Sequence, residues 1–453
     1  MTAYLLERAL LPSGVADDVL VTVDAGVFTS VQESPDIRGN WRLSGVATPD
    51  NRGNPRISGE TCSVPGLTIP GLANCHSHAF HRALRGRTQR ERGTFWTWRE
   101  QMYAVAARLT PDTYFELALA TYREMVATGI TSVGEFHYLH HQPDGQPYDD
   151  PNVLGRALIE AAKLAGLRIT LLDTCYLAAG IGQPPEGVQR RFDDGSGDAW
   201  AARVQGLTEQ PHARIGSAIH SVRAVPRDAI ATVAAQRGPL HVHLSEQRAE
   251  NDQCLAAYGL TPTELLEAEG ALGERTSVVH ATHLTDTDIA TLGAARAFAC
   301  FCPTTERDLG DGVGPSRRLH EAGSRLTLGS DSHAVIDLFE EMRAVELDER
   351  LATEQRGHWS ARELLQAATT TGQASLGWPD AGSIAVGQRA DLVTLDTSSL
   401  RTAGTGRDEN TAVFAAAAGD ITQVVVDGRV VLRQGDGEQI GRQLDAAIGK
   451  VWA

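Results

Sequence analysis

The residues best suited to chemistry begin with a histidine pair, His76-Ser-His78, at the end of the apolar run Leu67-Thr-Ile-Pro-Gly-Leu-Ala-Asn-Cys75. Side chains alternate along a strand, so in an extended run the two imidazoles face one side, about 6–7 Å apart along the chain, which suits one metal ion. Further on come His241 and His243 followed by Glu246, then His280 and His283, then Asp331 and His333. Neutral imidazoles plus one carboxylate form a borderline-soft ligand set for Zn2+ or Fe2+, and a position left to water makes such a site hydrolytic. His76, His78, His243 and Asp331 are therefore assigned as ligands of one divalent ion, with His241 on the same face but a layer deeper.

These groups must be brought together by elements far apart in the chain. From Leu67 onward a strand, loop, helix rhythm repeats, with eight candidate strands: Leu67–His76, Thr131–His137, Arg168–Tyr176, Arg214–His220, Pro239–His243, Ser277–His280, Ala297–Cys302 and Arg325–Gly329. Helical patterns lie between and after them, among them Pro111–Thr128, Val153–Ala165, Ser316–Ala322 and Ser360–Leu376. Strands alternating with helices imply a parallel sheet, and eight units imply an α/β fold, a TIM-like (β/α)8 barrel over 67–381. In such a barrel the chemistry sits at the C-terminal strand ends. Eight of the fifteen histidines fall at the ends of strands 1, 4, 5, 6 and 8, while strand 2 ends in Glu135, His137 and Tyr138 and strand 4 in His220 and Arg223. The segments 1–66 and 382–453 carry β patterns, including Asp18–Val23, Gly26–Val31 and Ile421–Leu432 with an Asp427-Gly428 turn. They are expected to pair into a small β-sandwich domain, with Pro49–Thr61 as a polar loop.

Composition narrows the function. A formal net charge of −16 argues against nucleic-acid or anionic-membrane binding, since both need basic surface. No run of 18 apolar residues and no secretory pattern occurs, and six cysteines without a Cys-x-x-Cys fit a reducing, cytoplasmic setting. Lys163 and Lys450 are the only lysines, so positive charge is almost all arginine.

In this order, His76-Ser-His78 after an apolar strand, His243-Leu-Ser-Glu246, Val279-His-Ala-Thr-His-Leu284, Ser330-Asp331-Ser and the closing Gly387-Gln-Arg-Ala-Asp-Leu-Val-Thr-Leu-Asp396 resemble the amidohydrolase superfamily, in its mononuclear deaminase branch, over nearly the whole chain. The resemblance implies hydrolytic deamination: the metal activates water, Asp331 takes a proton from it, Glu246 relays a proton to the departing nitrogen, and His280 stabilises the tetrahedral intermediate. Binuclear members bridge two metals with a carboxylated lysine at the end of strand 4. Neither lysine lies there, which excludes that bridge and leaves a glutamate bridge open.

Arg99, Tyr138 and Arg223 are candidate anion-binding groups, because the arginine fork matches carboxylates. Around them, Phe95-Trp-Thr-Trp-Arg99, Glu135-Phe-His-Tyr138 and His220-Ser-Val-Arg223 resemble the N-formimino-L-glutamate iminohydrolase (formimidoylglutamate deiminase) family of histidine degradation. That resemblance implies that Arg99 and Tyr138 hold the α-carboxylate and His220 and Arg223 the side-chain carboxylate of a small dicarboxylate substrate. It also implies a homodimer. One position departs: the family carries glutamine where this chain has His81, which can donate the same hydrogen bond. The competing readings are deamination of another amidine-like or heterocyclic compound of guanine, cytosine or thioadenosine type, and a non-enzymatic scaffold on the same fold. Pro184–Trp200 is a candidate mobile loop over the site.

Overall fold

Alternation of apolar and polar residues shapes the N-terminal end. A computed structural model of the chain describes residues 1–33, 61–89, 93 and 95–453, so the expected loop Pro49–Thr61 lies, apart from Thr61, outside the described residues. Strands β1 (Thr2–Leu11), β2 (Gly14–Asp24) and β3 (Val27–Glu33) form successive antiparallel pairs. Along β2, Val19, Val21 and Val23 turn inward while the residues between them stay partly exposed, as a period of two requires. Strand β4 (Thr61–Pro70) then runs parallel to β1.

The next eight strands are β5 (Leu72–Ser77), β6 (Ile130–His137), β7 (Arg168–Cys175), β8 (Ala213–Ile219), β9 (Leu240–Leu244), β10 (Thr276–His280), β11 (Phe298–Phe301) and β12 (Arg325–Leu328). They neighbour one another in chain order in one parallel sheet. β6 and β7 are buried along their whole length, as strands covered on both faces are. The ring closes at its C-terminal rim: Ser330 N and Asp331 N both donate to His76 O, at 3.1 and 3.0 Å, and His78 N donates to Asp331 O at 3.4 Å. Gly329 permits this approach, because a Cβ there would lie 2.7 Å from His76 Cβ and 2.9 Å from Cys302 Sγ.

The expected first barrel strand, Leu67–His76, is divided. Leu67 to Pro70 belong to β4, and the chain crosses between sheets at Gly71, where a Cβ would lie 2.4 Å from Thr131 Oγ1. Both halves of the run are buried, so its apolar pattern carries no sign of the change of sheet. The remaining strands, β13 (Leu392–Leu395), β14 (Ile421–Val426) and β15 (Arg429–Arg433), complete a seven-stranded sheet of order β15-β14-β13-β4-β1-β2-β3. The expected β-domain from both chain ends is thus one continuous sheet, with a core of its own around Tyr4, Leu6, Val21, Leu392 and Val425. Asp427 (φ 47°) and Gly428 (φ 72°) turn β14 into β15 with both residues left-handed, as a type I′ turn demands.

Not all of 382–453 stays with that sheet. The helix Gly437–Trp452 leaves it and packs on Pro111–Ala127, with Leu444 and Ala447 against Ala120 and Lys450 Nζ 2.6 Å from Glu116 Oε2. The expected helix Ser360–Leu376 is two, Ala361–Ala368 and Thr370–Ser375, broken at Thr369, whose hydroxyl donates to Leu365 O at 2.6 Å. At the end of the barrel opposite the rim, buried Arg168 of β7 joins Asp391 and Asp427, tying the barrel to the small sheet. No helix among the described residues is long and apolar enough to cross a membrane.

Candidate active site

The histidine pair is set by its neighbours on β6 and after β12. Glu135 accepts from Ala79 N and from Ser77 Oγ, each at 2.7 Å, which fixes the turn carrying His76 and His78. Burial pushes the Glu135 carboxyl up to about 7, although both hydrogen bonds pull the other way. Ser77 gives its proton to Glu135 and so accepts from His333 Nε2 at 3.1 Å, while Ser330 Oγ lies 3.0 Å from His333 Nδ1. His333 therefore clasps the two loops that meet at the barrel seam.

Four side chains converge at the rim. His78 Nδ1 lies 2.9 Å from Phe136 O and His243 Nδ1 2.9 Å from His220 O, so each carries its proton there and leaves Nε2 bare. His243 Nε2 is 3.0 Å from His76 Nε2, and Asp331 Oδ1 is 3.3 Å from His76 Nε2 and 3.2 Å from His78 Nε2. The ligand atoms of these four buried residues all lie within 4.8 Å of one another. Burial lowers the His76 imidazole to about 4, against the pull of Asp331, and lowers His243 well below the usual range. Burial alone would raise Asp331, but contacts with His76 and His78 hold it well below an ordinary carboxylate. Neutral imidazoles with converging lone pairs, beside an ionised carboxylate, fit a divalent metal ion: without a cation between them the bare nitrogens and the carboxylate repel. His241, also buried, is not one of the four.

The residues expected to handle protons, Glu246 and His280, stand beside this cluster. His280 Nε2 is 3.8 Å from Asp331 Oδ2 and 3.9 Å from Glu246 Oε1. Burial, which disfavours imidazolium, is outweighed by Glu246, Glu306 and Asp331, and the His280 pKa is held well above its ordinary value. Glu306 is a site residue that the sequence reading missed. It follows β11 on the short helix Pro303–Leu309, accepts from Cys302 N at 2.8 Å and sits 3.3 Å from His280 Nδ1. The signal was present: the same strand-end rule that singled out the histidines also covers Cys302-Pro-Thr-Thr-Glu306. His280 (φ 68°) and Asp331 (φ 39°) are left-handed, a strain of order 1–3 kcal/mol each that the surrounding hydrogen bonds must hold.

A pocket opens above the cluster, and every residue named from the sequence for metal, proton or substrate except His76 lines it. His81 Nε2 lies 2.9 Å from Tyr138 Oη, while Arg99 Nε donates to Tyr103 Oη at 2.6 Å. Arg223 Nε donates to Glu250 Oε2 at 3.1 Å, and its Nη2 is 3.9 Å from Glu246 Oε2. Glu250 is fully buried and also accepts from Ser245 N at 3.2 Å; its place four residues after Glu246 was the overlooked signal. Tyr103, Tyr176 and Phe192 complete the wall. The segment proposed as a mobile loop, Pro184–Trp200, is heavily anchored: buried Arg191 donates to Ala106 O, to Leu109 O at 2.8 Å and to His141 O at 2.9 Å, and Trp200 Nε1 donates to Asp173 at 3.0 Å. The backbone carbonyls that hold Arg191 leave no mark in sequence.

Residues 67–431 match the model of the amidohydrolase family. The chain is 37% identical to formimidoylglutamate deiminase of Pseudomonas aeruginosa over 98% of this chain and 97% of that protein. It is 28% identical to 5'-deoxyadenosine deaminase of Methanothermobacter thermautotrophicus, over 82% and 83% respectively. An amidohydrolase structure from Brucella melitensis covers all of both chains at 31% identity, with a TM-score of 0.87.

Proposed function

The chain belongs to the amidohydrolase family, and we propose that it hydrolyses N-formimino-L-glutamate to N-formyl-L-glutamate and ammonia, a step of histidine degradation. The observation that carries this is the pairing of two arginines, Arg99 and Arg223, in one pocket with the proton-handling group Glu246. Two guanidinium forks in one pocket of a chain of net charge −16 suit a substrate with two carboxylates, because the planar fork matches a carboxylate. A 37% identical relative named formimidoylglutamate deiminase supports the same substrate.

His76, His78, His243 and Asp331 would hold the metal, and three imidazole nitrogens with one carboxylate favour Zn2+, Fe2+ being the alternative. When bound, the ion supplies the Lewis acidity that makes water a nucleophile at neutral pH. Asp331 accepts a proton from the attacking water. Glu246 passes that proton to the formimino nitrogen, the remaining hydroxyl proton follows by the same route as the tetrahedral adduct collapses, and the carbon–nitrogen bond breaks so that ammonia leaves as the formyl carbonyl forms. His280 donates to the developing oxyanion from Nε2. Arg99, Tyr138 and His81 hold the α-carboxylate, and His220 and Arg223 hold the side-chain carboxylate. Burial and then Arg223 keep His220 well below its usual pKa, so it acts as a neutral hydrogen-bond donor. The proposal extends to a cytoplasmic homodimer, the six unpaired cysteines being in keeping with a reducing compartment.

The test is ammonia release by the purified protein from N-formimino-L-glutamate and from guanine, cytosine and 5'-deoxyadenosine, with and without chelator. Release from the first alone, abolished by chelation and restored by Zn2+, is expected. Turnover of a base without turnover of N-formimino-L-glutamate overturns the substrate.

A further inference from the structure

One wall of the pocket carries a hydrogen-bonded chain whose Gln189, Tyr103 and Tyr176 the mechanism above does not use. Gln189 lies in the anchored turn Gly187–Arg191, and its amide orientation is fixed, because Oε1 accepts from Glu186 N at 3.1 Å. Nε2 must then be the donor, and it donates to both Tyr103 Oη at 3.0 Å and Tyr176 Oη at 2.9 Å. Tyr103 Oη also accepts from Arg99 Nε at 2.6 Å.

Counting protons along this chain has a consequence. Two donors fill the acceptor positions of Tyr103 Oη, so its own proton points away from Arg99 and Gln189. Tyr176 Oη likewise accepts from Gln189, so its own proton also points elsewhere. Among the described residues no side-chain or backbone acceptor outside this pair takes a proton from either hydroxyl, and both rings line the pocket. At least one O–H donor is therefore left for a ligand.

Granted the dicarboxylate substrate proposed above, we infer that Tyr103 and Tyr176, aligned by Gln189, form a further carboxylate-binding subsite next to Arg99. Gln189 touches no substrate: it is a positioning residue that acts by making both phenols accept from it. The ligand class is a carboxylate or another anion with several acceptor lone pairs. A neutral base offering a single acceptor has no use for a guanidinium and a phenol side by side.

The inference is tested by Tyr103→Phe, Tyr176→Phe, their double variant, Gln189→Met and Gln189→Glu in the metal-loaded enzyme. KM and kcat are read for N-formimino-L-glutamate, and the Kd of N-formyl-L-glutamate by calorimetry, with metal content and melting temperature as folding controls. The double phenylalanine variant should raise KM and Kd at least tenfold, with a smaller effect on kcat. Gln189→Glu is isosteric but accepts where glutamine donates, so it draws both phenol protons onto itself. It should raise KM and Kd more than Gln189→Met does, whereas a merely structural glutamine would be better replaced by glutamate. Values within twofold of wild type for the double variant, or Gln189→Glu binding as tightly as wild type, overturn the inference while leaving the proposed reaction standing. Wild-type protein that neither turns over N-formimino-L-glutamate nor binds N-formyl-L-glutamate overturns both.

Discussion

Arg223→Met removes the cation assigned to the side-chain carboxylate, and the structure dictates how the experiment must be built. Arg223 Nε donates to Glu250, which is fully buried, so the single substitution leaves a carboxylate without its counter-ion. Breaking a buried pair this way costs about 3–5 kcal/mol, enough to obscure any effect on binding. Pairing it with Glu250→Gln removes the orphaned charge and keeps an acceptor for Ser245 N, which lies 3.2 Å from Glu250 Oε1. A hydrogen bond between ions contributes about 1.5–3 kcal/mol. At about 1.4 kcal/mol per decade, kcat/KM for N-formimino-L-glutamate should fall about 10–150-fold in the double variant. Ammonia release under steady-state conditions measures it, with metal content and melting temperature checked beside it. A comparison substrate that ends in a methyl group where glutamate has its side-chain carboxylate should lose little further. Unchanged kcat/KM for the dicarboxylate, or an equal loss for both compounds, would refute the assignment.

Glu246→Gln should keep its metal and melting temperature but lose about 10²–10⁴-fold in kcat, measured in single-turnover mixing, because only the proton relay is removed. His243→Ala should bind less than one metal per chain by elemental analysis and lose turnover with it, since only His76, His78 and Asp331 remain of the four. Asp194→Asn probes a buried network away from the chemistry: Asp194 lies 2.8 Å from Arg203 Nε and 3.2 Å from His141 Nε2. Burial raises the Asp194 carboxyl, but His141 and Arg203 outweigh it and hold the pKa far below the ordinary value of 3.8. A depressed folded-state pKa stabilises above the unfolded pKa and loses that contribution as pH falls. The variant should therefore be less stable by about 3 kcal/mol in urea at pH 7, with the gap narrowing once pH drops below about 4.

The cluster of His76, His78, His243 and Asp331 was legible as a group because its residue types are rare and the barrel rule says where along a strand to look. His76, His78, His243 and Asp331 each end a strand, and strand ends are visible as the last residue of an apolar run. Gly71 was not, because the run Leu67–Ser77 is buried on both sides of it and periodicity records burial, not which sheet does the burying. Helix Gly437–Trp452 carries Ile440, Leu444, Ala447 and Val451 at helical spacing, a signal overlooked among β patterns. Glu250 and Glu306 lie where the strand-end rule looks, but they are common residue types, and the groups they face, Arg223 and His280, are what single them out. Gln189 had no signal at all: its role lies in two phenols from distant segments and one backbone N–H.

Hydrolysis of N-formimino-L-glutamate can break either carbon–nitrogen bond of the amidine, and the products tell which. With Glu246 delivering a proton to the terminal nitrogen, substrate labelled there with ¹⁵N should give labelled ammonia and N-formyl-L-glutamate in equal amounts by NMR. Labelled formamide with free L-glutamate would mean that the other bond breaks, and the mechanism placed on Glu246, His280 and Asp331 would be contradicted.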